Sequence, residues 1–136
     1  MLNLFLFPLT FAWWSLVFLS SGPGFSGEWT KRLLAEWFGL EGTTLEIANY
    51  ILRKSWHVFY YFVLAFLLGI TIRAMFSSSR RNAFFIPAFL ALSTAIFDES
   101  RQAMSPSRTG TALDVLYDAL GISIAVLLLM RMSKKA

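Results

Sequence analysis

Lys54, His57 and Tyr61 stand at i, i+3 and i+7, so a helix carrying them presents an ammonium, an imidazole and a phenol on one stripe. Asp98 and Gln102 stand four residues apart, as do Asp114 and Asp118, with Glu99 beside the first pair and Gly121 beyond the second. Each of three segments therefore aims its polar groups in one direction. His57 with Asp98, Glu99 and Asp118 is a constellation that can move protons, and these four are the candidate catalytic residues. Lys54 and Arg108 suit a phosphate, which they would hold by charge-assisted hydrogen bonds. Tyr61, Gln102 and Asp114 join them as candidate substrate-binding residues.

Plainer readings stand beside these. Asp98 and Glu99 could be a carboxylate pair neutralised by Arg101, Arg108 or Lys54. They fall near a helix C-terminus, where the dipole disfavours negative charge, so stability alone does not account for them. Asp114 has a helix-capping explanation as strong as its functional one. Asp118 lies one turn deeper than any cap, and capping does not explain it. His57 is the only histidine of the chain, and no helix pairs it with an acid at a recognised ligand spacing, so no metal is assigned. An all-oxygen magnesium or calcium site from Asp98, Asp114 or Asp118 stays open. Ser20, Ser21 and Ser105 lack the surroundings of a nucleophile elbow and read as turn residues.

The elements that must position these groups follow from composition. The 136 residues are 57% hydrophobic and only 15% charged, with a mean hydropathy of +0.60. A soluble domain of this size has no interior large enough for so much apolar surface, whereas a bilayer removes the difficulty. With no cysteine, disulfides and thiol chemistry are excluded. The net charge of +4 flanks apolar runs instead of interleaving with aromatics on a soluble face, which reads as membrane anchoring and not as nucleic-acid binding.

The expected fold is all-α: one domain over 1–136, an integral membrane four-helix bundle with a short interfacial helix between its first and second spans. Leu2 to Leu19 is the first span; it has no basic residue before it and Ser20-Ser21-Gly22-Pro23-Gly24 after it, which argues against a signal peptide. Glu28 to Phe38 sets Trp29, Leu33 and Trp37 on one face and Lys31, Arg32 and Glu36 on the other. Such a helix lies in the membrane interface or packs across the top of the bundle. Thr43-x-x-Glu46 resembles a capping box where the next helix starts; its charge-poor part, Trp56 to Ile72, is the second span. Ala83 to Phe97 is the third, and Val115 to Met130, after the cap-like Thr111-x-x-Asp114, the fourth.

Four spans place both termini and the Ser77 loop on one side, with Arg73, Arg80, Arg81, Arg131, Lys134 and Lys135 in short segments free of acids. That density marks the side as cytoplasmic in a plasma (inner) membrane. A helix rises about 1.5 Å per residue, so Asp118 lies ~20 Å from Arg131, Asp98 ~26 Å from Arg81 and His57 ~24 Å from Arg73. All three stop short of a ~30 Å hydrocarbon core. They share a depth just inside the extracytoplasmic face, where an ionisable group facing lipid costs about 3 kcal/mol or more. One shared polar pocket is the economical arrangement.

These residues carry a family likeness. Ser20-Ser21-Gly22-Pro23-Gly24, Lys54-x-x-His57-x-x-x-Tyr61-x-x-Leu64, and the run Asp98-Glu99-x-x-Gln102, Arg108, Asp114, Asp118, Gly121 resemble the motifs of the VanZ-like membrane proteins, a family named for a teicoplanin-resistance protein. Arg53, Val58, Asp118 and Ala125 depart from the family's commoner residues. The resemblance implies a role at the cell envelope, with low glycopeptide susceptibility in some members, and no particular reaction or cofactor. Three functions remain open at this level. One is a protein that binds a lipid-linked or phosphate-bearing envelope component, its partners being the bilayer and that precursor. Another is a membrane-embedded hydrolase or transferase acting on a lipid-linked phosphate. The last is a structural membrane subunit without catalysis.

Overall fold

The computed structural model describes residues 2–20, 22, 27–75, 82–104 and 111–134. They form five helices and, among the described residues, no strand: α1 (Leu2–Ser20), α2 (Gly27–Phe38), α3 (Gly42–Met75), α4 (Asn82–Ala103) and α5 (Ala112–Lys134). Two of them, α3 and α5, are long and apolar enough to cross a membrane.

Each expected apolar run is a helix, but the ends differ. The run starting at Trp56 is the inner part of a single 34-residue helix that begins at Gly42. The expected capping box does not account for Glu46: its carboxylate takes the Lys31 ammonium of α2 at 2.7 Å. That hydrogen bond holds the Lys31 pKa above its ordinary value. Between the two helices Gly39 and Gly42 have φ of 62° and 55°, the left-handed region that glycine enters without Cβ strain. The Gly39 N–H donates to the Ala35 carbonyl at 2.9 Å and closes α2. Helix α4 runs past Phe97 to Ala103, so Asp98, Glu99 and Gln102 all lie in its last two turns.

Helix α3 is the hub. It packs against the other four helices, and α4 also packs on α5. Tyr61, Leu64, Ala65 and Leu68 of α3 meet Ala91 and Ala95 of α4, Ile122 and Ala125 of α5, and Val17 of α1. The alanines keep the axes close. At the end away from the carboxylates, Thr10 and Thr71 share a buried 2.7 Å hydrogen bond that fixes α1 on α3; nearer the carboxylates, the Trp13 indole donates to the Tyr60 carbonyl at 3.1 Å. Phe5, Phe7 and Phe11 of α1, Phe85 and Phe89 of α4, and Leu116, Leu120 and Leu127 of α5 are exposed.

The closest approach is at Gly121, where an added Cβ would sit 2.2 Å from the Val58 carbonyl oxygen and 2.9 Å from the Phe62 nitrogen. Backbone cannot rotate away. At Gly69 the obstruction is the end of the Leu129 side chain, at 2.3 Å, which can change rotamer. Gly121→Ala is therefore expected to cost about 3 kcal/mol or more, and Gly69→Ala about 1 kcal/mol. Thermal unfolding of the two variants in detergent checks the order. Equal midpoints would mean that α3 and α5 do not meet at Gly121.

Candidate functional site

The three polar stripes converge at one end of the bundle. Helix α3 supplies Lys54, His57 and Tyr61, α4 supplies Asp98, Glu99 and Gln102, and α5 supplies Asp114 and Asp118. Lys54 Nζ forms an ion pair with Asp114 Oδ1, the two side chains being 16% and 3% exposed. The same ammonium lies 5.2 Å from the Tyr50 ring centre and 5.6 Å from that of Tyr117, whose hydroxyls hydrogen-bond each other at 3.1 Å. One turn deeper, His57 Nδ1 lies 2.9 Å from Asp118 Oδ1 and 3.7 Å from Glu99 Oε1. A carboxylate accepts, so Nδ1 carries the hydrogen toward Asp118. In the neutral ring this tautomer leaves the lone pair on Nε2.

Helix α4 is wired in from both sides. The Thr111 backbone N–H donates to Glu99 Oε2 at 3.0 Å. The Asp114 N–H donates to Thr111 Oγ1 at 3.3 Å, while the Thr111 hydroxyl donates to Asp114 Oδ2 at 3.1 Å. Thr111 is thus the cap of α5, and Asp114 both closes that turn and holds Lys54. Gln102 Nε2 donates to Asp98 Oδ2 at 2.9 Å and reaches Glu99 Oε1 at 3.5 Å. Arg101 donates from Nη2 to Asp98 Oδ1 at 3.2 Å and to the Phe18 carbonyl at 2.7 Å. Its guanidinium carbon stands 4.0 Å from the centre of the Phe18 ring. The expected neutralisation of the Asp98 and Glu99 pair is therefore divided. Arg101 serves Asp98, His57 faces Glu99, and Lys54 serves Asp114 instead.

Beside this cluster lies a cavity of about 460 Å³. Its floor holds His57, Tyr61, Asp98 and Gln102; its roof is the apolar face of α2, with Trp29, Leu33, Leu34, Trp37 and Phe38. Val17 and Ser20 of α1, Thr30 of α2 and Leu52, Arg53, Trp56 and Tyr60 of α3 complete the walls. Three polar atoms at the site have no hydrogen-bond partner among the described residues: the Tyr61 hydroxyl, Asp118 Oδ2 and Arg101 Nε; Tyr61 and Asp118 are 2% and 0% exposed. A buried polar atom left without a partner costs about 1–3 kcal/mol. Tyr61→Phe is accordingly expected to stabilise the empty protein by about 1 kcal/mol and to weaken retention of whatever the cavity holds. Unfolding in detergent with and without bound lipid separates the two effects. A destabilised empty variant would give the hydroxyl a partner of its own.

All the sequence-predicted site residues meet here except Arg108, which lies outside the described residues, as do Ser21 and Ser105. Ser20 reaches the cavity wall, and its hydroxyl donates to the Val17 carbonyl at 2.9 Å. His57, Glu99 and Asp114 bring ligand atoms within 4.8 Å of one another, a donor set that spacing along any one helix does not display, since each comes from a different helix. The Lys54 ammonium already rests on Asp114 in that cluster, so a metal ion would compete with it. The residues missing from the sequence reading are those of the cavity wall. Arg53, Trp56 and Tyr60 repeat the i, i+3, i+7 spacing of Lys54, His57 and Tyr61 one residue earlier, and that repetition was the available signal.

No family model matches the chain, and no curated protein or solved structure matches it.

Proposed function

We propose that this chain is a multi-pass protein of the cell envelope, similar to the VanZ-like proteins, which holds a lipid-linked envelope component in the cavity beneath α2. The observation that carries the reading is the two-sided cavity. Polar side chains of α3 and α4 form one wall, and the apolar face of α2 forms the other. An amphiphile matches both at once: hydrocarbon on the tryptophan-rich side, a polar head against the polar side chains of α3 and α4.

The membrane placement follows the same physics. Helices α1, α3, α4 and α5 are the four spans, and their exposed phenylalanines and leucines face acyl chains. Helix α2 lies near the extracytoplasmic interface, its apolar face turned to the cavity and Lys31 tied to Glu46. The basic residues at the opposite end mark the cytoplasm. His57, Asp98, Glu99, Asp114 and Asp118 are then ionisable groups at membrane depth that satisfy one another, the arrangement expected of functional and not lipid-facing positions. Holding an envelope component would alter access to it from outside, which connects the reading to teicoplanin-type susceptibility in the family that the chain resembles.

A second reading, a hydrolase or transferase on a lipid-linked phosphate, is favoured by one observation. Asp118 holds His57 by Nδ1, the orientation that makes Nε2 a proton acceptor. Mass spectrometry of envelope lipids and wall precursors distinguishes the readings, in cells making equal membrane levels of wild type or Asp98→Ala. The binding reading predicts one component enriched with the wild-type protein and unchanged in mass. A new product found only with the wild type would establish the enzyme. Identical profiles would leave a structural subunit.

A further inference from the structure

The phosphate expectation rested on Lys54 and Arg108. Lys54 is committed to Asp114, and a second anion would have to displace a buried carboxylate. The cavity floor is also a poor place for negative charge. Asp98 lines it, and Glu99 and Asp118 lie 3.7 Å and 2.9 Å from Nδ1 of His57, which lines it too. Like charges so close in a low-dielectric site repel strongly.

Arg53 is placed differently. It lines the cavity one turn from His57, toward the start of α3. Its guanidinium lies against Gly27, where an added Cβ would be 2.9 Å from Nη1. Helix α2 begins at that residue, so the positive end of its dipole adds to the guanidinium charge. No carboxylate of the described residues pairs with Arg53, in contrast to Lys31, Lys54 and Arg101. A fixed fork of donors beside an apolar wall suits a phosphate ester better than a lone ammonium does. Deeper in, the Tyr61 hydroxyl is buried with no partner, and Tyr61 lies eight residues from Arg53, about 12 Å along the helix.

We infer that Arg53 is the anion contact of the cavity and makes it select amphiphiles bearing a phosphate over neutral ones with the same chain. The phosphate rests at the Arg53 end, the chain lies along Trp29, Leu33 and Trp37, and the floor at His57 and Tyr61 takes neutral hydrogen-bonding groups. This rests on the amphiphile reading above and names the head it prefers.

The experiment uses the full chain purified in detergent. Trp29, Trp37 and Trp56 line the cavity, so tryptophan fluorescence reports occupancy. The probes are farnesyl phosphate, farnesol and inorganic phosphate. Wild type is expected to bind farnesyl phosphate at least tenfold more tightly than farnesol. Arg53→Gln should bring that ratio to about one with farnesol affinity unchanged, and Arg53→Lys should keep part of the preference. Equal elution profiles confirm that the variants are folded. The inference is overturned if wild type binds both probes equally, if Arg53→Gln keeps the preference, or if inorganic phosphate displaces farnesyl phosphate at comparable concentration. Binding of neither prenyl probe would overturn the amphiphile reading itself, an outcome distinct from an altered ratio.

Discussion

Lys54→Met on its own is expected to destabilise the protein by about 3–5 kcal/mol, the usual cost of removing one partner of a buried ion pair. Asp114 is 2% exposed, so its carboxylate would be left with the Thr111 hydroxyl and little else. The cost is the stranded charge, not the lost attraction. Exchanging both partners in Lys54→Met/Asp114→Leu should therefore recover most of the loss, short of about 1 kcal/mol for the helix-terminal contact with Thr111. Denaturant unfolding of the two single variants and the double variant in detergent closes the cycle. Single variants within about 1 kcal/mol of wild type, the range of exposed pairs, would show that the pair is solvated.

Asp98→Ala is expected to leave the protein folded and to lower its retention of the bound component at least a hundredfold, about 2.7 kcal/mol. Two features support the first half. Arg101 keeps its hydrogen bond to the Phe18 carbonyl and its place over the Phe18 ring, so α4 stays docked on α1. Its side chain is also 33% exposed and tolerates losing the carboxylate better than a buried cation would. The second half follows from position. Asp98 orients Gln102, and both line the cavity, so one truncation removes an acceptor and releases a donor. Retention is measured as lipid co-purified per chain at matched membrane expression. A variant that keeps its lipid would remove Asp98 from the binding surface.

The polar cluster was legible in the sequence because helical spacing is a one-dimensional signal. Lys54, His57 and Tyr61 must share a face once their segment is helical, and rise per residue alone puts His57, Asp98 and Asp118 at one depth. The Thr111 cap was legible for the same reason, since its partners are three residues away. Rotation of a helix about its own axis is another matter. Lys54 and Arg53 are neighbours in sequence but about 100° apart on a helix of 3.6 residues per turn, so which of them faces the cavity depends on how α3 packs against α2 and α5. The amphipathic face of α2 was equally visible. Whether membrane, bundle or cavity would cover it depends on Gly39, Gly42 and the Lys31–Glu46 contact, a tertiary matter. Glu46 read as a capping residue because its local spacing fits; a cation on another helix competed for it and won.

The cavity beneath α2 is tested most directly by a prenyl phosphate carrying a photoactivated diazirine in its chain, activated in membranes that contain the full-length protein. The labelled peptides are expected to cover residues 29–38 of α2 and 52–61 of α3, and Arg53→Gln should lose this labelling selectively. Labelling confined to the outward faces of α1 and α5, around Phe5, Phe11, Leu120 and Leu127, and equal in the variant, would mean that the chain meets such lipids only as bulk bilayer, and would contradict the account.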